Sequence, residues 1–397
     1  MKDLSTRAQR ITPSITLGID AKAKQMAAQG AKVINFGVGE PDFDTPTNIA
    51  QAAISAIHRG ETRYTPAAGT ESLRQAIGEK LRLENNLIYT PGQIVVSNGA
   101  KHSLYNALLA ICDPGDEVII PIPYWVSYAE MVKMVGAEPV FVNTREDEDF
   151  KVRVADLESA VTPKTKALML NSPSNPTGMV YSQAELSAIA DFALRHDLYV
   201  ISDEIYEKLV YDHTEHQSIA SLGEEIKNLT IVVNGMSKAY AMTGWRIGYT
   251  ASNMALAKAM GSLQSHATSN ANSIAQAASI EALRGPQEAM QTMVQEFARR
   301  RLRMVELVNA IPDLSCRLPK GAFYVMANIS RLLGQQIAGE TIVDDVALAQ
   351  VLLDKAQVAV VPGSGFGAGQ FLRLSYATSM DNIEEGLRRI RALLTRH

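Results

Sequence analysis

Apolar positions along the chain fall into two kinds of pattern. Short runs rich in Val, Ile and Leu recur at residues 93–97, 117–121, 138–143, 165–171, 198–203 and 229–235. Their length and β-branched content predict buried strands. Between most of them the apolar positions return at helical spacing, as at 104–111, 182–196 and 254–284. Strands separated by helices predict βαβ units and a mostly parallel central sheet flanked by helices, an α/β architecture spanning about residues 47–285.

The two ends read differently. Residues 1–46 hold an irregular arm, a helix around 20–29 and a short apolar run at 33–37. Residues 286–397 open with a charged helix whose Arg299, Arg300, Arg301 and Arg303 read as a solvated face or a subunit contact. Short strands at 323–329, 358–361 and 371–376 and a terminal helix follow. Chain termini often lie close together, so both ends are expected to build one smaller α+β domain. The expected division is therefore 1–46 as arm and part of the small domain, 47–285 as the large domain and 286–397 as the small C-terminal domain.

Composition narrows the function classes. At 46% hydrophobic and 20% charged residues the chain is neither disordered nor a disulfide miniprotein. A net charge of −4 leaves no basic excess for a phosphate backbone, so no nucleic-acid partner is expected. Cys112 and Cys316 stand alone and read as reduced thiols. No apolar stretch follows the charges of residues 1–10, and no long apolar window suits a membrane span. A cytoplasmic protein with no membrane partner is the expectation.

Open α/β sheets bind ligands beyond the carboxyl ends of their strands. Those positions here are polar and glycine-containing. Asn98-Gly99-Ala100-Lys101 opens a helix, and Ser172 to Gly178 follows the 165–171 run. Ser202-Asp203-Glu204-Ile205-Tyr206 ends another strand, and Ser237-Lys238-Ala239 leads to Thr243-Gly244-Trp245-Arg246. Gly99 and Ala100 at a helix start suit a phosphate, with Ser237 and a bidentate Arg246 completing the site. Lys238 suits Schiff-base formation with an aldehyde. Asp203 suits a protonated ring nitrogen, Asn175 and Tyr206 a ring oxygen, and Trp125 stacking on the ring face.

Each residue alone has a blander reading. Lys238 is otherwise a surface lysine, Asp203 a helix N-cap, Arg373 a solvated edge residue and Trp125 core. Other motifs fall away. Gly37-Val38-Gly39 lacks the third glycine of a dinucleotide fingerprint, and Lys238 lacks the spaced glycine of a nucleotide loop. His213 and His216 read as a surface loop rather than a metal site.

Taken together, the motifs resemble the fold-type I pyridoxal 5'-phosphate enzymes, specifically the class I aminotransferases. The matching segments are Gly39-Glu40-Pro41-Asp42-Phe43, Arg63-Tyr64-Thr65-Pro66, Ser172 to Gly178, Ser202 to Tyr206, Ser237 to Gly248 and Arg373 to Thr378. The resemblance is strongest to the bacterial and plastid aspartate aminotransferases, some of which also use prephenate. It implies the transferase fold type I and a ping-pong exchange of amino groups between amino and oxo acids. It implies Lys238 as Schiff-base lysine and proton carrier, with Asp203 at the pyridine nitrogen and Asn175 and Tyr206 at the ring oxygen. Gly99, Ala100, Ser237 and Arg246 would hold the phosphate, joined by Tyr64 from a second subunit, so a homodimer with shared sites is implied. Arg373 would bind the substrate α-carboxylate, helped by Asn175, Trp125 and the backbone of Gly39. Lys101 would take the distal carboxylate and Thr16 would help accept prephenate. A β-lyase on the same fold is the alternative, and a non-enzymatic regulator is a third reading with little chain left to support it.

Overall fold

The computed structural model describes residues 2–12 and 15–395, without the side chains of residues 7, 15–17 and 20. At its centre is a seven-stranded sheet. Its spatial order is Ile94–Ser97, Gly248–Ala251, Thr230–Gly235, Tyr199–Asp203, Thr165–Asn171, Glu117–Ile122 and Glu138–Asn143. Gly248–Ala251 runs antiparallel to both neighbours, while the other neighbouring pairs are parallel. Ile94–Ser97 and Thr230–Gly235 are buried along their whole length, the pattern of a sheet covered on both faces. All but one of the strands therefore present their carboxyl ends at the same edge.

The helices form where the periodicity predicts, with one instructive difference. Gln183–Arg195 begins at Ser182, whose hydroxyl accepts the Glu185 amide while the Glu185 side chain reaches back to the Ser182 amide, a capping box. The expected single helix over 254–284 is two, Met254–Ala267 and Ser273–Arg284. The break falls in a Thr-Ser-Asn-Ala-Asn stretch, where Ser269 adopts a φ of 62° and Asn272 caps the second helix through its bond from the Ala275 amide. Asn and Ser offer the backbone local hydrogen bonds that compete with a continuous helix.

A second sheet, four-stranded and antiparallel, orders Val361–Pro362, Phe371–Ser375, Tyr324–Asn328 and Ser315–Cys316. Ile34–Asn35, near the start of the chain, pairs in parallel with Val358–Ala359. The expected strand over 358–361 thus serves two sheets. The long helix Glu288–Asn309 and the terminal helix Met380–Leu394 pack together over a core that includes Phe297, Met304, Leu374 and Leu387. The expectation that Arg299–Arg303 form a solvated face needs correction. Arg299 is exposed and Arg303 half-buried, but Arg300 and Arg301 are buried. Arg300 donates from Nη1 to both carboxylate oxygens of Asp42 at 2.7 and 2.9 Å, and Arg301 donates to Asp212 and to the Pro319 carbonyl. Buried guanidinium groups persist because each finds an acidic partner brought from far along the chain.

Candidate active site

The parallel strands end around a cavity of about 540 Å³. It is lined by Gly39, Ala100, Lys101, Trp125, Asn175, Asp203, Tyr206, Ser237, Lys238, Arg246 and Arg373, all singled out from sequence, together with Lys24, Glu40, Tyr128, Asn171, Thr243 and Tyr324. Topology explains the convergence. Asp203 is the last residue of its strand, Lys238 follows the strand Thr230–Gly235, and Ala100 begins the helix after Ile94–Ser97.

At one end of the cavity the helix Ala100–Ile111 starts from Gly99, whose φ is 85°. A Cβ there would stand 2.4 Å from Nη2 of Arg246. A Cβ on Gly248 would stand 2.2 Å from the Ala100 amide nitrogen. Both positions need glycine because guanidinium, strand and helix start meet without space for a side chain. Arg246, itself at a φ of 60°, is held by a 2.7 Å bond from Nη1 to the Thr243 carbonyl. Gln264 fixes the helix from behind. It is fully buried, donates to the Ala67 and Val96 carbonyls at 2.6 and 2.7 Å and accepts from Asn106 at 3.0 Å. The first amides of a helix carry partial positive charge, and here Ser237 and Arg246 stand beside them, a donor set suited to a phosphate dianion.

Asp203 is 3% exposed. Its Oδ2 accepts the Tyr128 hydroxyl at 2.7 Å and its Oδ1 the Ile205 amide at 3.2 Å. Burial lifts its pKa to about 6, although both hydrogen bonds oppose the rise. Such a carboxylate is short of a cation, and a protonated ring nitrogen supplies one. Lys238 donates from Nζ to the Gly39 carbonyl at 2.5 Å. Burial brings its pKa down to about 8, with repulsion from Arg246 and Arg373 adding to the fall and Glu40 and Asp203 resisting it. Near neutrality an appreciable fraction of this amine is unprotonated and nucleophilic.

Arg373 closes the other end. It is 2% exposed, donates to Asn175 Oδ1 at 3.1 Å and to the Gly37 carbonyl at 2.8 Å, and its Nε has no partner among the described residues. Burial lowers its pKa. A buried guanidinium bonded only to neutral acceptors is prepared for a carboxylate. Gly39, whose backbone the resemblance assigns to the substrate α-carboxylate, also lines the cavity. The carbonyl that orients Arg373 is that of Gly37, while Gly39 receives Lys238. Lys101 places its Nζ 4.8 Å from the centre of the Trp125 ring, and burial followed by Arg246 lowers its pKa.

Of the expected residues that are described, Gly99 and Tyr64 are not part of the cavity lining, Gly99 standing at the helix start beside Arg246. Tyr64 is 90% exposed and does not line the cavity of its own chain. The Thr16 side chain lies outside the described residues. Tyr128 and Tyr324 were missed by sequence reasoning, because one sits on a short helix and the other in an ordinary apolar strand, with no motif around either. The histidine expectation also needs correction. His213 is exposed, but the His216 side chain is buried, with Nε2 3.1 Å from Glu204 Oε2. Glu204, Glu207 and His216 have ligand-like spacing. Yet Glu204 also accepts the Ser202 and Ser218 hydroxyls, and Glu207 meets Lys80 and Asn85. Burial works against the Glu207 charge, but Lys80 and His216 overcome it and bring its pKa to about 2. The Lys80 ammonium is the cation of this cluster, which is an ion-pair network holding the strand end beneath Asp203.

The residues present fit the phosphorylated pyridine aldehyde that the sequence resemblance implies. The glycine cradle, the cation-poor buried Asp203, the amine of Lys238 and the partly unpartnered Arg373 match its phosphate, ring nitrogen, aldehyde and a carboxylate substrate in turn. Comparison with known proteins agrees. The family model for aminotransferase class I and II matches residues 31–390. An aspartate aminotransferase of Bacillus sp. (strain YM-2) is 50% identical over 98% of this chain and 99% of its own. An aspartate/prephenate aminotransferase of Nitrosomonas europaea is 47% identical over 99% and 100%. Among solved structures, the aspartate aminotransferase of Rhizobium meliloti superposes with a TM-score of 0.96 at 46% identity, covering all of both chains. That of Thermus thermophilus with maleate gives 0.93 at 44% identity, covering 99% and 100%.

Proposed function

The chain belongs to the class I and II aminotransferase family, and from that premise we propose a pyridoxal 5'-phosphate transaminase for the dicarboxylic amino acids aspartate and glutamate and their oxo acids, with prephenate as a further acceptor. The observation that carries this reading is the meeting of the Lys238 amine, the buried Asp203 carboxylate and the Arg373 guanidinium in one cavity. When bound, pyridoxal phosphate supplies an aldehyde for the amino group and a ring that disperses negative charge from the substrate Cα.

The protein's own groups do the rest. Gly99, Ala100, Ser237 and Arg246 hold the phosphate. Asp203, kept in place by Tyr128, holds the proton on the ring nitrogen. Asn175 and Tyr206 hydrogen-bond the ring oxygen, and Trp125 covers the ring face. Arg373 fixes the α-carboxylate and Lys101 the distal one, which orients the Cα–H bond toward Lys238. Lys238 then removes the Cα proton as general base, a task suited to an amine with a pKa lowered to about 8. Maleate, named with the Thermus thermophilus relative, is a dicarboxylate, which supports a two-cation substrate site. Thr16 retains its assignment to prephenate. Tyr64, projecting from the surface, is assigned to the phosphate site of a second copy, making a homodimer the functional unit.

Residues 47–285 are taken as the cofactor-binding domain and 286–397 with 1–46 as the smaller one. Among the described residues no helix is long and apolar enough to cross a membrane, and Cys112 and Cys316 are free thiols, which supports a reducing, cytoplasmic setting. The test is a pair of half-reactions. Glutamate should bleach the visible absorbance of the cofactor-loaded protein, and oxaloacetate or prephenate, added separately, should restore it. Restoration by oxaloacetate alone removes prephenate from the assignment. Release of pyruvate and ammonia from an amino acid without an oxo acid would favour the β-lyase.

A further inference from the structure

We propose that Tyr324 is a positioning residue that joins the two halves of the site, steering the Tyr206 phenol with its hydroxyl and the Arg373 guanidinium with its ring. The inference rests on the transaminase reading above and assigns a role to a residue that no motif marks. Tyr324 is fully buried, lines the cavity and begins the strand Tyr324–Asn328, which pairs with the Arg373 strand. Its hydroxyl stands 2.9 Å from that of Tyr206, and the two rings meet edge-on with centroids 5.8 Å apart. Two phenols in one hydrogen bond divide the roles of donor and acceptor. Tyr206 can give its proton to an acceptor in the cavity only while Tyr324 donates to it. The relayed bond also polarises the second one and strengthens it.

The ring has its own task. The Arg373 guanidinium lies 4.4 Å from the Tyr324 centroid and 5.0 Å from that of Phe366. Among the described residues its hydrogen bonds go only to the neutral oxygens of Asn175 and Gly37. The aromatic faces therefore supply the negative potential that a buried guanidinium needs before its carboxylate arrives. Gly39 completes the junction, because a Cβ there would come within 3.5 Å of the Tyr324 hydroxyl oxygen. The segment that receives the Lys238 amine thus passes beside the same hydroxyl.

Two substitutions separate hydroxyl from ring, Tyr324→Phe and Tyr324→Leu, each studied as the cofactor-loaded protein. The readouts are the midpoint of the absorbance–pH titration, the maleate dissociation constant, and kcat and KM for aspartate. The thermal midpoint of the cofactor-free protein serves as a folding control. Tyr324→Phe should move the titration midpoint upward by about half a pH unit, since a weakened donor at the ring oxygen favours the protonated form. It should lower kcat about threefold while KM and maleate binding stay unchanged. Tyr324→Leu should in addition weaken maleate about tenfold. An unmoved midpoint and kcat in Tyr324→Phe, or weakened maleate binding in that variant, overturns the proposal. Maleate binding of wild-type strength in a folded Tyr324→Leu variant does the same. If the unsubstituted protein neither gains visible absorbance with pyridoxal phosphate nor loses it with glutamate, the transaminase reading fails. If it does both and the variants match it, only the role of Tyr324 fails.

Discussion

Replacing Asp203 by Asn should change the stability of the protein in opposite senses with and without cofactor. Burial raises the Asp203 pKa from 3.8 to about 6. A carboxyl that is harder to ionise in the folded chain costs stability wherever it is ionised. The cost is absent below pH 3.8, grows between 3.8 and about 6, and is complete above. Across that interval, at about 1.4 kcal/mol per pH unit, it reaches about 3 kcal/mol. Asn cannot ionise, and the Tyr128 hydroxyl can turn to accept from its amide, so Asp203→Asn removes the cost and keeps the packing. Urea denaturation of both cofactor-free proteins between pH 4.5 and 7.5 measures this. Across this window the variant should gain about 2 kcal/mol on the parent as pH rises. Saturating pyridoxal phosphate should reverse the order, because its ring cation pairs with Asp203 and not with Asn. A gap that is flat with pH, or a parent that is the more stable at pH 7.5 without cofactor, would show that burial of the Asp203 charge carries no such cost.

Lys101→Ala should lower kcat/KM for aspartate by about 10–100-fold, the worth of one charge-assisted hydrogen bond, and spare alanine as donor. An equal loss for both would remove Lys101 from the distal-carboxylate site. Gly248→Ala should weaken pyridoxal phosphate binding at least tenfold, since its methyl would lie 2.2 Å from the Ala100 amide that begins the phosphate-binding helix. Fluorescence titration with the cofactor measures it, and an unchanged dissociation constant would show that the cradle relaxes freely.

How much of this was legible in the sequence depended on distance along the chain. The strands and the polar segments at their carboxyl ends follow from local pattern, and the segments carrying Asp203, Lys238 and Arg246 announce their chemistry by composition. The reversed strand Gly248–Ala251 did not, because Gly-Tyr-Thr-Ala is too short to show a period. Arg300 reads as a solvated helix residue until Asp42 arrives from 258 positions away. His216 reads as loop until the fold sets it on Glu204. Tyr324 and Tyr206, 118 positions apart, meet only once the strand Tyr324–Asn328 shares a core with the segment that follows Asp203. Burial of a charge or a phenol is decided by its partner, and single-residue pattern does not name the partner.

Mapping where the cofactor attaches decides whether Lys238 is the Schiff-base lysine. The protein is loaded with pyridoxal phosphate, reduced with borohydride, digested and mapped by mass spectrometry. One stoichiometric pyridoxyl adduct, on Lys238, is expected. An adduct on Lys101 or Lys24, or none, would contradict it.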